Sequence, residues 1–250
     1  MHPEAEMNLR VMTYNIQSGW KYRSEPKVID LPAIAETVKR YSPDVLVLNE
    51  VRGRGVTDTR YTDSEAETIA SLLGYYCYFG RSIYVSGTDP YGNAVLSRYP
   101  ITEAKVFRIP DAFDKTSDWF EPRTVTRAVI ELPDGDSRRF FTVFASHFGL
   151  SRGELEMASA FSASLLRDEP NPFVMMGDFN AEPSDEVLTP LYAHSQSLTD
   201  LFGGQKSFPS DLPEMRIDYI LPSKGITTAS AVVPDERESD HRPAYADLII

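Results

Sequence analysis

The chain has 250 residues, with 25 Lys and Arg against 37 Asp and Glu, so its formal net charge is −12 at pH 7 with His neutral. A hydrophobic share of 42% and an aromatic share of 11% can fill a core and exclude wholesale disorder, and no run approaches ~18 consecutive apolar residues, which excludes a helical membrane span. The single Cys77 excludes an internal disulfide framework and a cysteine-based zinc cluster, and the negative average field disfavours a protein that grips long nucleic acid along a basic stripe.

The first residues, MHPEAEMNLR, lack a basic start followed by a long apolar run. No secretory leader is visible, and a cytoplasmic setting is the expectation, or a secreted or periplasmic one where a leader has been removed. Leu9–Tyr14 reads as a strand. Leu31, Ile34, Ala35, Val38 and Tyr41 recur at helical spacing, with Asp30 as cap and Pro43 as stop. Val45–Leu48 (VLVL) is continuously apolar, as a strand buried on both faces requires. Ser64 and Glu67 form a capping-box pattern ahead of a helix that ends near Gly74.

Strand-like segments follow at Tyr75–Phe79, Ala94–Leu96, Val106–Ile109, Thr124–Leu132 and Phe140–Ala145. Pro133, Asp134 and Gly135 make a turn between the last two. Ser151 and Glu154 repeat the capping-box pattern, and Ala158, Phe161 and Leu165 continue that helix on one face. Phe173–Met176, Ile217–Leu221, Ala229–Val233 and Ala244–Ile249 complete the set. Roughly 150 residues per domain permit one large domain or two small ones. No Gly/Ser- or Pro-rich linker divides the chain, so one domain over 1–250 is expected. The order strand, helix, strand, helix, strands occurs on each side of residue 123, as two pseudo-repeated halves. The expected fold is α/β, with two β-sheets packed face to face and helices outside.

Polar residues punctuate the apolar strands. Asn15 ends the first, Glu50 follows VLVL, and His147 closes FTVFASH. Asp178 and Asn180 sit in GDFN, Asp218 in RIDYIL, and Asp240 with His241 in SDHRP. Strand ends in α/β sheets hold groups precisely yet leave them reachable. Singly, each has an ordinary explanation as a turn, cap or first solvated residue. His194 reads as a surface or packing histidine, Met175 and Met176 as core, and Cys77 as a small buried hydrophobe. Their joint occurrence at six strand sites fits one reaction.

Asn15, Glu50 and Asp240 offer hard oxygen ligands, which suit Mg²⁺ or Mn²⁺ and not zinc. Asp218 and His241 can pair as carboxylate and imidazole. Asp178 can orient or deprotonate a water, and His147 and Asn180 can donate hydrogen bonds to a pentacoordinate phosphorus centre. No Ser or Cys lies in a nucleophile motif, so direct attack by water is expected.

The ordered segments MTYNIQSG, PDVLVLNEV, YGNAVLSRYPI, FASHFGL, VMMGDFNAEP, RIDYILPS and SDHRPAYADL resemble the endonuclease/exonuclease/phosphatase superfamily across nearly the whole chain. The resemblance implies the deoxyribonuclease I-like fold: a four-layered sandwich of two packed mixed β-sheets flanked by helices. It implies metal-assisted hydrolysis of a phosphoester at one edge of the sandwich. Asn15 and Glu50 match the metal-side residues and His147 the transition-state donor. Asp178 and Asn180 match the residues beside water and phosphate, and Asp218 the partner of the last histidine. Asp240 and His241 match a metal ligand and an acid or base. Which of Asp178 and His241 holds the proton is left open, as is the number of metals. Asn49 stands where many members carry Gln, and Gln17 where abasic-site endonucleases carry an acid. ASHFGLSRGELE is closer to the phosphatase and phosphodiesterase branches.

Specificity belongs in loops. Residues 17–27 carry Trp20, Lys21, Tyr22 and Arg23; residues 51–63 carry Arg52, Arg54 and Arg60; residues 110–123 carry Phe113, Trp119 and Phe120. Singly, each reads as solvated loop; together they suit a phosphorylated small molecule. The expected function is therefore hydrolysis of a small phosphodiester or phosphomonoester, such as a nucleotide or lipid headgroup. A metal-dependent nuclease on DNA or RNA is the alternative, and a non-catalytic binding protein of the same fold comes third. Neither oligomeric state nor ester type is legible.

Overall fold

Alternation along the strands builds the layers. In β1 (Asn8–Asn15) and β2 (Val45–Arg52), the side chains of Leu9, Val11, Val45 and Val47 enter one buried cluster, while Met12, Tyr14, Leu46 and Leu48 enter another. A strand buried on both faces reads as such a continuous apolar run. The two strands are parallel, with Val11 opposite Val45 and Asn15 opposite Asn49. Helix α1 (Leu31–Tyr41) makes the crossover; the Asp30 carboxylate caps it by accepting from Ala33 N at 3.1 Å. Helix α2 (Glu65–Leu73) starts on a complete Ser64/Glu67 capping box and stops at Gly74, whose φ of 72° terminates the helix without Cβ strain.

The remaining elements are β3 (Tyr76–Val85), β4 (Asp89–Ser97), β5 (Ile101–Arg108), β6 (Thr124–Asp134), β7 (Ser137–His147), α3 (Arg152–Arg167), β8 (Phe173–Asp178), α4 (Thr189–Tyr192), β9 (Asp218–Pro222), β10 (Thr227–Val232) and β11 (Ala244–Ile249). This computed structural model describes residues 6–54, 63–113, 120–134 and 137–250. One mixed sheet has six strands in the order β10-β11-β1-β2-β4-β3; the other has five, β5-β6-β7-β8-β9. Leu9, Val47 and Val95 of the first meet Ile130, Phe141, Val143 and Met176 of the second in the central core. Ile34, Val38 and Ile69 pack the helices α1 and α2 on the outer face of the first sheet. Leu155, Ala158 and Leu166 pack α3 against Phe144, Phe173 and Met175 on the outer face of the second. The order is helices, sheet, sheet, helix: the four-layered deoxyribonuclease I-like sandwich.

Differences from the sequence reading fall at sheet edges. β5 starts at Ile101, earlier than the expected Val106, because an edge strand is half solvated and lacks a clean apolar run. β3 continues beyond Phe79 to Val85 and pairs with β4 through a bulge. Cys77 is half-buried rather than enclosed. Gly135 of the expected turn, and Arg60 and Trp119 of the expected loops, lie outside the described residues.

Candidate active site

Register converges the polar residues. Asn15 ends β1, and β7, β8 and β9 place His147 opposite Asp178 and Asp178 opposite Asp218. Three side chains from three strands thus form one row. Asn49 continues the inward parity of Val45 and Val47 and ties the two sheets together. Its Nδ2 donates to Ser146 O at 2.9 Å and to Asn93 Oδ1 at 2.8 Å, and its Oδ1 accepts from Asp178 N at 3.1 Å.

Two Asx turns shape the strand ends. Gln17 N donates to Asn15 Oδ1 at 3.1 Å, and Asn180 N donates to Asp178 Oδ1 at 3.0 Å. Gln17 and Asn180 both adopt left-handed φ, 47° and 49°. Glu50 has φ 58° at a bulge between Leu48 and Val51, where β2 slips against β4. Such backbone is costly for a residue with a Cβ and collects at functional sites. The bulge re-aims Glu50 within the strand; it is not merely the first solvated residue after VLVL.

Asn15 Nδ2 donates to Glu50 Oε1 and Asp178 Oδ2, each at 3.1 Å. Its contacts thus differ from those expected of an oxygen ligand: the amide nitrogen faces the carboxylates and the oxygen is held by Gln17 N. Gln17 Nε2 donates to Asp240 Oδ2 at 2.7 Å, tying the other candidate ligand to the same turn. Burial first, then repulsion from Glu50 and Asp218, raises the Asp240 carboxyl above its ordinary range. A hard-oxygen set that repels itself is a fit for a divalent cation.

His241 Nδ1 sits 2.9 Å from Asp218 Oδ2, and its Nε2 lies 3.6 Å from Asp178 Oδ2. Burial alone would push His241 down, but Asp218, then Asp178 and Asp240, lift it to about 10. It stands at neutral pH as an imidazolium between two carboxylates. Phe208 covers its ring, with centroids 4.7 Å apart. Asp178, Asp218 and His241 lie close enough to chelate a metal. The raised His241 favours an ion-paired trio over metal ligation, since an imidazole protonated on both nitrogens has no lone pair to give a metal. Burial raises Asp178, Asp218 adds to the rise, and His241 opposes it.

His147 and Asn180 form the other wall. His147 Nε2 is 3.2 Å from Asn180 Nδ2, and Asn180 Nδ2 donates to Phe148 O at 3.0 Å. His147 Nδ1 is 3.2 Å from Arg123 Nη1. Burial, then the charges of Arg123 and His241, hold His147 well below its ordinary value, so it is neutral.

All eight expected residues therefore lie in one linked arrangement. Sequence reasoning missed the Gln17 and Asn49 bonds, although Asn49 was legible from the parity of Val45 and Val47. Arg123 carried no signal, because only strand register puts it beside His147. The loop arginines diverge. Arg52 Nε donates to Ser18 Oγ at 3.2 Å, and its guanidinium lies 5.5 Å from the Tyr91 ring centre. Arg54 turns outward to Glu67 at 2.7 Å, and Arg23 pairs with Asp211 at 2.7 Å.

The chain and its fold are similar to those of known proteins. A protein of Escherichia coli K12 called YbhP is 26% identical over 261 residues, covering 97% of each chain. The mannosyl-6-phosphatase Bt3783 of Bacteroides thetaiotaomicron superposes with a TM-score of 0.75 at 18% identity, covering 97% of this chain and 100% of that one. The human Nocturnin catalytic domain, solved with bound sulfate, gives 0.69 at 21% identity, with 98% and 96% covered. The profile of the Endonuclease/Exonuclease/phosphatase family matches residues 12–241. The chain belongs to that family, whose members are hydrolases of phosphoester bonds.

Proposed function

We propose that this protein is a Mg²⁺- or Mn²⁺-dependent phosphoesterase acting on a small phosphorylated molecule through attack of an activated water. The observation that carries this reading is the buried His241, clamped by Asp218 and facing Asp178 opposite the donor pair of His147 and Asn180. Glu50 and Asp240 would hold the cation, and Asn15 would orient Glu50 through its amide. Bound there, the cation would supply a Lewis acid for a phosphoryl oxygen.

The protein groups do the rest. Asp178 is aimed by Asn180 N and Asn15 Nδ2, and takes a proton from the attacking water. Water oxygen bonds to phosphorus as the ester P–O bond breaks, and the departing oxygen takes its proton from solvent to leave as the alcohol. His241, positive by virtue of Asp218, balances the carboxylates and faces the developing charge. His147 and Asn180 donate to a phosphoryl oxygen.

Purified protein with Mg²⁺ or Mn²⁺ should hydrolyse an activated aryl phosphoester. Asp178→Asn and His241→Ala should each lose at least ~10³-fold in rate, from lost proton transfer and charge stabilisation. Full activity in those variants would overturn the site assignment; no turnover across a panel of phosphoesters would overturn the activity. A labelled oligonucleotide tests the nuclease alternative. Cutting that falls steeply with salt would favour it, since phosphate contacts release counterions.

A further inference from the structure

Arg123 immediately precedes β6 and is almost enclosed, with 11% of its side chain exposed. Its backbone is held by Ile109 N, which donates to Arg123 O at 2.9 Å. One arm, Nη2, meets Glu121 Oε2 at 3.1 Å; the other, Nη1, meets His147 Nδ1 at 3.2 Å. A guanidinium has five N–H donors and no lone pair to offer. Nδ1 must therefore be the acceptor nitrogen, and the neutral ring must carry its proton on Nε2.

The facing amide is fixed by the same logic. Phe148 O can only accept, so the Asn180 group bonded to it at 3.0 Å is the NH₂. Its second hydrogen is free to point toward His147 Nε2, 3.2 Å away. Two N–H donors thus face one another. Asp178 Oδ2, at 3.6 Å from Nε2, lies beyond good hydrogen-bond distance. Such a pair needs a shared acceptor bearing lone pairs.

We propose that Arg123 is a positioning residue: by donating to Nδ1 it locks His147 as the neutral Nε2–H tautomer, which with Asn180 makes a two-donor cradle for an anionic oxygen. His147 is then a hydrogen-bond donor throughout and never gives up its proton. The identity of that oxygen as phosphoryl rests on the phosphoesterase reading; the tautomer does not.

The test is long-range ¹H–¹⁵N correlation on metal-free protein, with the His147 signals assigned by a His147→Gln variant. Wild type should show a protonated Nε2 and an unprotonated Nδ1. Arg123→Glu replaces the donor by an acceptor and should move the proton to Nδ1. With an aryl phosphoester and metal, its kcat should fall ~10²-fold with KM changed less than ~3-fold, the signature of a donor lost in the transition state. Arg123→Lys keeps a donor and should restore both the tautomer and most of kcat. A wild-type ring protonated on Nδ1, or on both nitrogens at neutral pH, would overturn the proposal without any variant having to fold. So would an Arg123→Glu protein that keeps Nε2–H, or one whose loss appears in KM alone, since Arg123 would then bind substrate directly. Absence of turnover in wild type would sink only the phosphoesterase reading, because the spectra need no substrate.

Discussion

Glu65 shows how one residue can carry a cost that its neighbourhood in sequence conceals. It opens α2, where an acid favours the helix dipole, yet it is 1% exposed. Oε2 accepts from Arg52 N at 2.7 Å, tying the end of β2 to the helix, while Oε1 is buried without a partner. Burial raises its carboxyl from an ordinary 4.5 to about 8 against the opposing pull of Arg52. Because the folded value is raised, stability is present in full below about pH 4.5 and is lost as pH rises through about 8. The gap corresponds to roughly 5 kcal/mol at ~1.4 kcal/mol per pKa unit. Glu65→Gln keeps an oxygen for Arg52 N and does not titrate. In chelator-treated protein its melting temperature should match wild type at pH 5 and exceed it at pH 9. Equal melting curves at pH 9 would contradict this account of the buried carboxyl. The capping-box spacing singles out Glu67, but nothing in SEAET marks Glu65 as buried; packing of the helix on β2 buries Glu65 and leaves Glu67 at the surface.

At the scale of elements, the capping boxes of α2 and α3 were legible because their signals span four residues. Both are complete: Ser151 Oγ accepts from Glu154 N at 3.3 Å while Glu154 Oε2 accepts from Ser151 N at 3.0 Å. The buried strands were legible from their apolar runs, and the edge strand β5 only in its last residues, from Val106. Between β7 and β8 the decisive residue is Gly177. Its φ is 145°, and a Cβ there would lie 1.8 Å from Ser146 O. Gly177→Ala should push β8 off β7 and displace both Asp178 and His147, whose register depends on that pairing. A stability loss of at least ~3 kcal/mol is expected in urea, with activity falling alongside. An unchanged midpoint would mean that the strands can separate there at little cost.

For the molecule as a whole, charge is the main liability. Glu50, Asp178, Asp218 and Asp240 gather at one end of a chain already at −12. A divalent cation that bound only the folded state would relieve this repulsion. At 100 times its dissociation constant it would add about 2.7 kcal/mol, some 5–10 °C for a chain of this size. Scanning fluorimetry with Mn²⁺ or Mg²⁺ should show this rise in wild type and a much smaller one in Glu50→Gln. A melting temperature indifferent to millimolar cation would remove the metal from the mechanism.

The chain sequence by itself determined the buried strands, the three longer helices α1 to α3 and the list of eight polar residues at strand ends, because periodicity and caps act within a few positions. Only the tertiary structure decided how those residues are turned. Asn15 and Asp178 lie 163 positions apart and meet through a single hydrogen bond. The polarity of His147 depends on Arg123, just ahead of the neighbouring strand. A side chain's protonation and orientation are set by whichever donors and acceptors strand register brings within about 3 Å, and that register is a property of whole sheets.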